Sequence, residues 1–430
     1  MSLGSVRCIP LTLNYGLIQP RPVIEVVQYP LDRLKLAAAL AFVLCWACAG
    51  VLWVPPGRAQ GRTPSGAGRA PFSPPLPKGI PPDVWRRSVP ADNPLTAEKV
   101  ALGEALFFEK RLSVDGTVSC ATCHDPASAF ADTQMLAVGV ERKVGTRNAP
   151  TVLNAMFSRH LFWDGRARTL EEQAKQPLVN PLEMGMPDHA AVVARLEAVP
   201  EYRQQFREVF GAEGITPDTV AKAIAAYERT QLSADSPFDR FIGGDRGALS
   251  EAQRRGWQLF QTKAQCIKCH TFTPAAPFFS DFDFHNTGVA TKGRDFQSLA
   301  AEAVRAARAE PDRARALSQL AHTEGFSELG RFLISGRAAE TGAFKTPSLR
   351  DIELTAPYMH NASEKTLLDV VKFYNRGGEK NRYLDKDMRP LNLTDAEMSD
   401  LVEFMRALTS DDVMRRTQSS RPQTRISGLR

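Results

Sequence analysis

Beyond about residue 95 the apolar positions fall at helical spacing, and alternating runs of the kind strands need are few. The stretch LTAEKVALGEALFFEKRL, starting at Leu95, places its apolar residues along one helical face, and LSEAQRRGWQLFQTKAQ, starting at Leu249, does so again. Ser250 and Gln253 in the second stretch are spaced as a capping box. Further helical faces are predicted at 169–175, 217–232, 366–374 and 394–408, the last opening on another capping box, Thr394 and Glu397. Residues 296–324 are rich in Ala and Arg, favour helix, and read as a surface insertion. Residues 55–91 are crowded with Pro, Gly, Ser and Arg, which predicts a disordered tether with too little apolar surface to fold. The basic, polar tail at 411–430 is expected to be disordered as well. The pattern predicts a mainly α fold.

One apolar run differs from these. Residues 36–54, LAAALAFVLCWACAGVLWV, follow Arg33 and Lys35, so 1–54 reads as an export signal or an uncleaved N-terminal anchor of nearly spanning length. Ala47-Cys48-Ala49 resembles a small-residue cleavage site, and Cys48 as a lipid-bearing residue is poorly framed. The residues ahead of the run are unusually many for a signal peptide, which points to a misplaced start codon.

Two short patterns carry the chemistry. Each helical lead-in runs into a C-x-x-C-H motif, Cys120-Ala121-Thr122-Cys123-His124 and Cys266-Ile267-Lys268-Cys269-His270. That motif is the attachment signal of a c-type haem: each thiol adds to a vinyl group as a thioether, and the next imidazole reaches the iron from one side. A redox dithiol does not need the histidine, and a zinc knuckle needs further cysteines close by. Two covalent haems are therefore expected. The other three cysteines, Cys8, Cys45 and Cys48, all precede residue 50, so cleavage would leave every remaining cysteine in a haem motif. Export fits as well, because c-type haems are attached on the outer side of the bacterial membrane, which predicts a periplasmic protein.

With 430 residues the chain is long enough for two domains of ordinary size and an appendage. A helix leading into each motif is an internal repeat at domain scale. The predicted division is a haem domain at 92–240 and a second at 241–410, packed against each other, with the boundary in the Gly-, Asp- and Pro-dense stretch 235–247. The formal charge of +6 is spread along the chain without a basic block, which gives nucleic-acid binding no support.

Residues around the motifs make the resemblance specific. The LF-x₃-RLS lead-in at 106–113, Arg147-Asn148-Ala149-Pro150-Thr151, Phe162-Trp163-Asp164-Gly165-Arg166 and Pro181-Leu182-Glu183-Met184 come in order with the first motif. Phe344-Lys345-Thr346-Pro347-Ser348-Leu349-Arg350 and Ala356-Pro357-Tyr358-Met359-His360 follow the second. Over roughly 92–410 the chain resembles the bacterial dihaem cytochrome c peroxidases, a family that includes MauG.

That resemblance implies a peroxide site at the first haem, with His124 as proximal ligand, Glu183 as the distal acid–base residue and Gln173 as its hydrogen-bonding neighbour. Alone, Glu183 reads as a solvated loop carboxylate and Gln173 as a helix-surface residue; their even spacing after Trp163 agrees with the family. Trp163, otherwise a core residue, matches a tryptophan between the haems that assists electron transfer. His360, otherwise structural, matches an inter-haem histidine. The side chain of Asn148 and the carbonyls of Thr355 and Pro357 match a bound calcium, a hard cation suited by oxygen donors.

Two departures set the subtype. Conventional members carry, shortly before the RNAPT-like segment, a histidine that caps the resting peroxide haem. The matching position here is Val140, which cannot ligate iron and implies an open site needing no reductive activation. The second haem's distal methionine is matched by Tyr374, fourteen residues after His360. Tyr374 shares a helical stripe with Leu367, Val370 and Val371, so a core tyrosine is one reading. The resemblance to MauG offers another, an axial phenolate opposite His270 that lowers the haem's potential. Met359 and Met388 are rival ligands.

The implied activity is reduction of hydrogen peroxide to water with electrons from a small c-type cytochrome or copper protein. The alternatives are a MauG-like oxidase that modifies side chains of a partner protein, and a non-catalytic dihaem electron carrier.

Overall fold

The computed structural model describes residues 71–291, 295–308 and 310–420. The apolar run at 36–54, the three early cysteines and tail residues 421–430 lie outside them. Helices carry the architecture: α1 (Pro82–Ser88), α2 (Ala97–Phe107), α3 (Cys120–Cys123), α4 (Leu170–Val179), α5 (His189–Glu197), α6 (Pro200–Phe210) and α7 (Pro217–Glu228) come first. After them follow α8 (Pro237–Ile242), α9 (Glu251–Gln261), α10 (Phe296–Arg308), α11 (Arg313–Gln319), α12 (Phe332–Ser335), α13 (Leu367–Asn375), α14 (Asp395–Arg406) and α15 (Asp411–Ser420). Among the described residues the only sheet is a two-residue antiparallel pair, β1 (Phe284–His285) against β2 (Phe344–Lys345). The fold is mainly α, with one haem motif in each half.

Both capping boxes form. Gln253 N–H donates to Ser250 Oγ and Glu397 N–H to Thr394 Oγ1, at 3.2 and 3.3 Å, while each N3 side chain accepts from the N-cap backbone. These bonds satisfy donors that an uncapped helix end leaves open.

Each lead-in helix crosses a partner at a glycine. A Cβ on Gly103 in α2 would lie 1.9 Å from the carbonyl oxygen of Ala223 in α7. On Gly256 in α9 it would lie 2.0 Å from the carbonyl of Asp400 in α14. Only glycine permits these close crossings, and they repeat the same supporting helix pair beneath both motifs. The first core gathers Leu106, Phe107, Leu112, Phe206 and Ile224. In the second, Phe238 packs against Trp257, Phe272, Phe279 and Phe404 with ring centroids 4.9 to 5.5 Å apart.

Three segments depart from expectation. Residues 71–91 of the expected tether are ordered: Ile80 and Trp85 are buried with Leu95, Ala226 and Leu232, and Phe72 N–H donates to the Leu95 carbonyl at 3.0 Å. One indole and one isoleucine supply the apolar area that the surrounding Pro-rich composition conceals. The expected disordered tail begins instead with helix α15, whose Val413 and Thr417, one turn apart, face inward while its charges face water. Val413 joins the first core. The expected surface insertion at 296–324 has an interior of its own: Phe296, Ala300, Ala303, Ala307, Leu317 and Ala321 pack against Leu329, Phe332 and Leu333. Small alanines let α10 and α11 approach their neighbours closely, so a composition that looked merely helix-favouring also builds a core.

Candidate functional site

The first motif lies on α3, and His124 lies just past its end. Ala129 and Phe130 take positive φ and turn the chain back, so that the Phe130 carbonyl lies 3.3 Å from His124 Nδ1. A carbonyl there requires the proton on Nδ1 and leaves the Nε2 lone pair as the ligand atom. Burial pushes the imidazole's pKa down, which keeps it neutral as ligation demands. Cys120, Cys123 and His124 line a cavity with about 1380 Å³ of empty space, its mouth included.

The second motif repeats the design. His270 Nδ1 lies 3.0 Å from the Phe279 carbonyl, where another positive φ turns the chain. Cys266, Cys269 and His270 line a cavity with about 1700 Å³ of empty space. All four motif cysteines are free thiols. Two thiols and a correctly oriented, neutral imidazole at each cavity fit a covalent haem. Cys269 also approaches Asp281 and His285, but thioether attachment removes it as a metal ligand. His285 bridges Asp281 and Asp385 at 3.0 and 2.6 Å, and these carboxylates, Asp281 first, raise its pKa.

Tyr374, Met359 and Met388 all line the second cavity. On α13, Leu367, Val370 and Tyr374 face it, whereas Val371 packs in the second core. The stripe is therefore largely a cavity wall. Burial pushes the phenol's pKa upward, which keeps its proton in place.

In the first cavity, Glu183, Gln173 and His124 share the lining. Asn180 Nδ2 donates to Glu183 Oε1 at 2.8 Å, and burial raises the carboxyl's pKa against the opposing pull of Arg166 and this hydrogen bond. Val140 does not reach the cavity. It is buried in the first core, its N–H donates to the Glu183 carbonyl at 2.9 Å, and it packs against Gly185. A Cβ on the preceding Gly139 would lie 2.2 Å from the Leu182 carbonyl, so this loop is clamped to the Glu183 segment.

Trp163 and Asn148 line both cavities. The indole Nε1–H donates to the Asn148 carbonyl at 2.9 Å, and the Asn148 N–H donates to the His360 carbonyl at 2.8 Å. His360 is buried, stacks on Phe344 at 3.7 Å and bonds Glu328 through Nε2 at 3.1 Å. Thr355 and Pro357 line the second cavity, as Asn148 does. Asn148 Nδ2 donates to the carbonyls of Asp132 and Gln134, so the atom it could offer a cation is Oδ1.

Several residues that the motif reading left unassigned surround the first cavity. Asp164, fully buried, joins Arg147 at 2.6 Å and Arg166 at 3.0 Å. Burial opposes its ionisation, yet Arg166 and Arg147 hold its pKa down to about 2. Both residues flanking Gly165 in the FWDGR run thus belong to one charge cluster, and the run itself was the available signal. Glu228 lines the same cavity, with burial raising its pKa to about 8. His322, from the insertion, lines it too, and no sequence signal marked that histidine.

The sequence profile of the di-haem cytochrome c peroxidase family matches residues 97–247. The chain is 37% identical over 323 residues to the methylamine utilization protein MauG of Methylophilus methylotrophus, covering 74% of this chain and 84% of that protein. It is 36% identical over 327 residues to the cytochrome-c peroxidase IdrP1 of Pseudomonas sp. (strain SCT), covering 75% and 84%. Among solved structures it is similar to a MauG-like protein associated with microbial copper homeostasis, with a TM-score of 0.64 and 32% identity, covering 80% of this chain and 97% of that one.

Proposed function

The chain belongs to the di-haem cytochrome c peroxidase family that includes MauG, and on that premise we propose how its residues divide the work of reducing hydrogen peroxide to water. Two c-type haems are its cofactors, attached through Cys120 and Cys123 and through Cys266 and Cys269. When bound, the haem at His124 supplies the iron that takes peroxide, and the haem at His270 relays electrons to it.

The reaction consumes one peroxide, two protons and two electrons and yields two waters. Glu183 acts at the oxygen that Asn180 leaves free, Oε2: it accepts a proton from one peroxide oxygen and returns it to the other as the O–O bond breaks. A carboxyl with its pKa raised by burial takes up and releases that proton more readily than a solvated one. Gln173, expected as the hydrogen-bonding neighbour of Glu183, lines the same wall, but the side chain that bonds the carboxylate is Asn180. Val140, packed away in the core, offers no ligand to the first cavity, so a haem held there by His124 would need no reductive activation. Tyr374, in preference to Met359 and Met388, would hold the second haem together with His270. Trp163 carries electrons between the two sites, and His360 keeps it in place through Asn148 and the ring contact. Asn148 Oδ1 with the carbonyls of Thr355 and Pro357 would hold a calcium ion. Electrons come from a small c-type cytochrome or a copper protein. The protein works in the periplasm after export; among the described residues no helix is long and apolar enough to cross a membrane.

The observation that carries this reading is the meeting of Glu183 and His124 in one cavity whose wall Trp163 shares with the other. Electron paramagnetic resonance of the ferric protein tests it: a high-spin signal beside a low-spin one is expected. Two low-spin signals with no reaction toward peroxide would leave only an electron carrier.

A second reading is favoured by one feature, Tyr374 at the second cavity, together with relatives named MauG. A phenolate ligand retains oxidising equivalents better than it passes electrons, which suits an oxidase acting on side chains of a partner protein. Steady-state turnover with a reduced small cytochrome separates the two: rapid turnover supports the peroxidase, poor turnover the oxidase.

A further inference from the structure

The insertion reaches the first haem cavity. Thr146 Oγ1 donates to the Ala321 carbonyl at 3.0 Å and Arg147 Nη2 to the Ser327 carbonyl at 2.8 Å, so the segment's end is tied to the loop after the first motif. Ala321 and His322 thereby become part of the cavity wall, facing the same space as Glu183, Asn180 and Arg166.

The hydrogen bonds of His322 decide what it can do there. Asn180 Oδ1 accepts the Leu182 N–H at 3.0 Å, which orients the amide and leaves Nδ2 as a double donor. Nδ2 donates to Glu183 Oε1 at 2.8 Å and meets His322 Nδ1 at 3.1 Å. An amide N–H can only donate, so Nδ1 accepts and the ring carries its proton on Nε2. This is the opposite tautomer to that of His124 and His270, whose Nδ1 atoms face carbonyls and whose Nε2 atoms are free to ligate. The ring is neutral at working pH: burial first, then Arg166 and Arg147, hold its pKa down to about 4 against the pull of Asp164. A neutral Nε2–H ring is a poor iron ligand and a well-defined hydrogen-bond donor.

We propose that His322 is a second distal residue of the peroxide site, an Nε2–H donor oriented by Asn180 that binds a peroxide oxygen beside Glu183. This rests on the reading of the first cavity as the open peroxide site. Asn180 then links the two groups, holding the acid–base carboxylate with one N–H and setting the donor's tautomer with the other. The insertion thus delivers a catalytic group to a cavity built mostly by the other half of the chain.

Fluoride binding to the ferric holoprotein, followed optically, tests the donor without turnover, because bound fluoride is stabilised by distal N–H groups. The wild type is expected to bind fluoride, His322→Leu to bind it about tenfold more weakly, the scale of one lost hydrogen bond, and His322→Gln to recover most of the affinity. The second-order rate with peroxide should follow the same order. Equal fluoride affinity in all three proteins overturns the role of His322 while leaving the open site intact. A wild type that binds no fluoride overturns the open-site reading and this inference with it. A wild type that is low-spin at the first haem and becomes high-spin in His322→Leu shows that His322 ligates the iron, and overturns the open-site reading together with the donor assignment. Should His322→Leu fail to accumulate, His322→Ala, which also lacks the donor, takes its place beside His322→Gln, and fluoride affinity equal to wild type in His322→Ala overturns the role.

Discussion

Trp163 meets His360 edge to face, with ring centroids 6.4 Å apart and planes inclined at 67°, on the wall that the two haem cavities share. The same indole is fixed by its bond to the Asn148 carbonyl, so its position is set from both halves of the chain. Trp163→Phe keeps an aromatic ring but loses that hydrogen bond. Stopped-flow mixing of the reduced protein with peroxide should show slower oxidation of the haem at His270, with the peroxide-binding phase unchanged. Equal slowing of both phases would mean that the indole serves the first cavity only.

Glu183→Gln removes the proposed proton carrier but preserves shape and the contact with Asn180. The rate of peroxide reduction should fall about a hundredfold or more, the scale of a general acid–base group, with haem content unchanged. An unaltered rate assigns proton transfer elsewhere in the cavity.

The ligand at the second haem can be read from its potential. Tyr374→Met replaces the proposed hard anionic donor by a thioether, so a redox titration should show the second haem's potential rise. A potential unmoved in Tyr374→Met and in Tyr374→Phe would point to Met359 or Met388 as the ligand in the native protein.

The buried Asp164 couples the first cavity to acid stability. Its pKa is about 2 in the folded protein and about 3.8 unfolded, so the folded state favours the anion. Its stabilising contribution, roughly 2–3 kcal/mol for a shift of this size, is fully present above the unfolded pKa and is lost as pH falls through the folded one. Denaturant titrations between pH 5 and pH 2 (a span chosen at about the two pKa values) should show that part of the acid loss disappear in Asp164→Asn. The variant should also be less stable at neutral pH, because Arg147 and Arg166 would face each other without their shared anion.

Haem attachment separates by half. Cys120→Ala combined with Cys123→Ala should lower the intact mass by one haem and leave the other bound through Cys266 and Cys269. Loss of both, or of neither, contradicts independent attachment at the two motifs.

Much of this protein was legible without coordinates because its chemistry is local. A thiol, two residues, a thiol and an imidazole define an attachment site within one turn, whatever surrounds them. Capping boxes at Ser250 and Thr394 and the helical stripe ending at Tyr374 are equally short-range, and the helices form where the apolar period places them. Family resemblance added Glu183, Gln173 and Trp163, which isolated residue types do not distinguish from surface and core positions.

Convergence between distant segments belonged to the tertiary structure. That Trp163 lines both cavities depends on how the halves pack, and nothing in its sequence neighbourhood encodes the second one. Trp85 and Val413 lie in polar or Pro-rich surroundings; only the cores they enter order them, because burial energy comes from partners distant in the chain. His322 lies in an Ala- and Arg-rich segment without a chemical motif, and its role follows from Asn180, 142 residues away. Local spacing wrote the covalent chemistry, while the tautomer of that histidine and the cavity it faces were decided by contacts that exist only once the chain has folded.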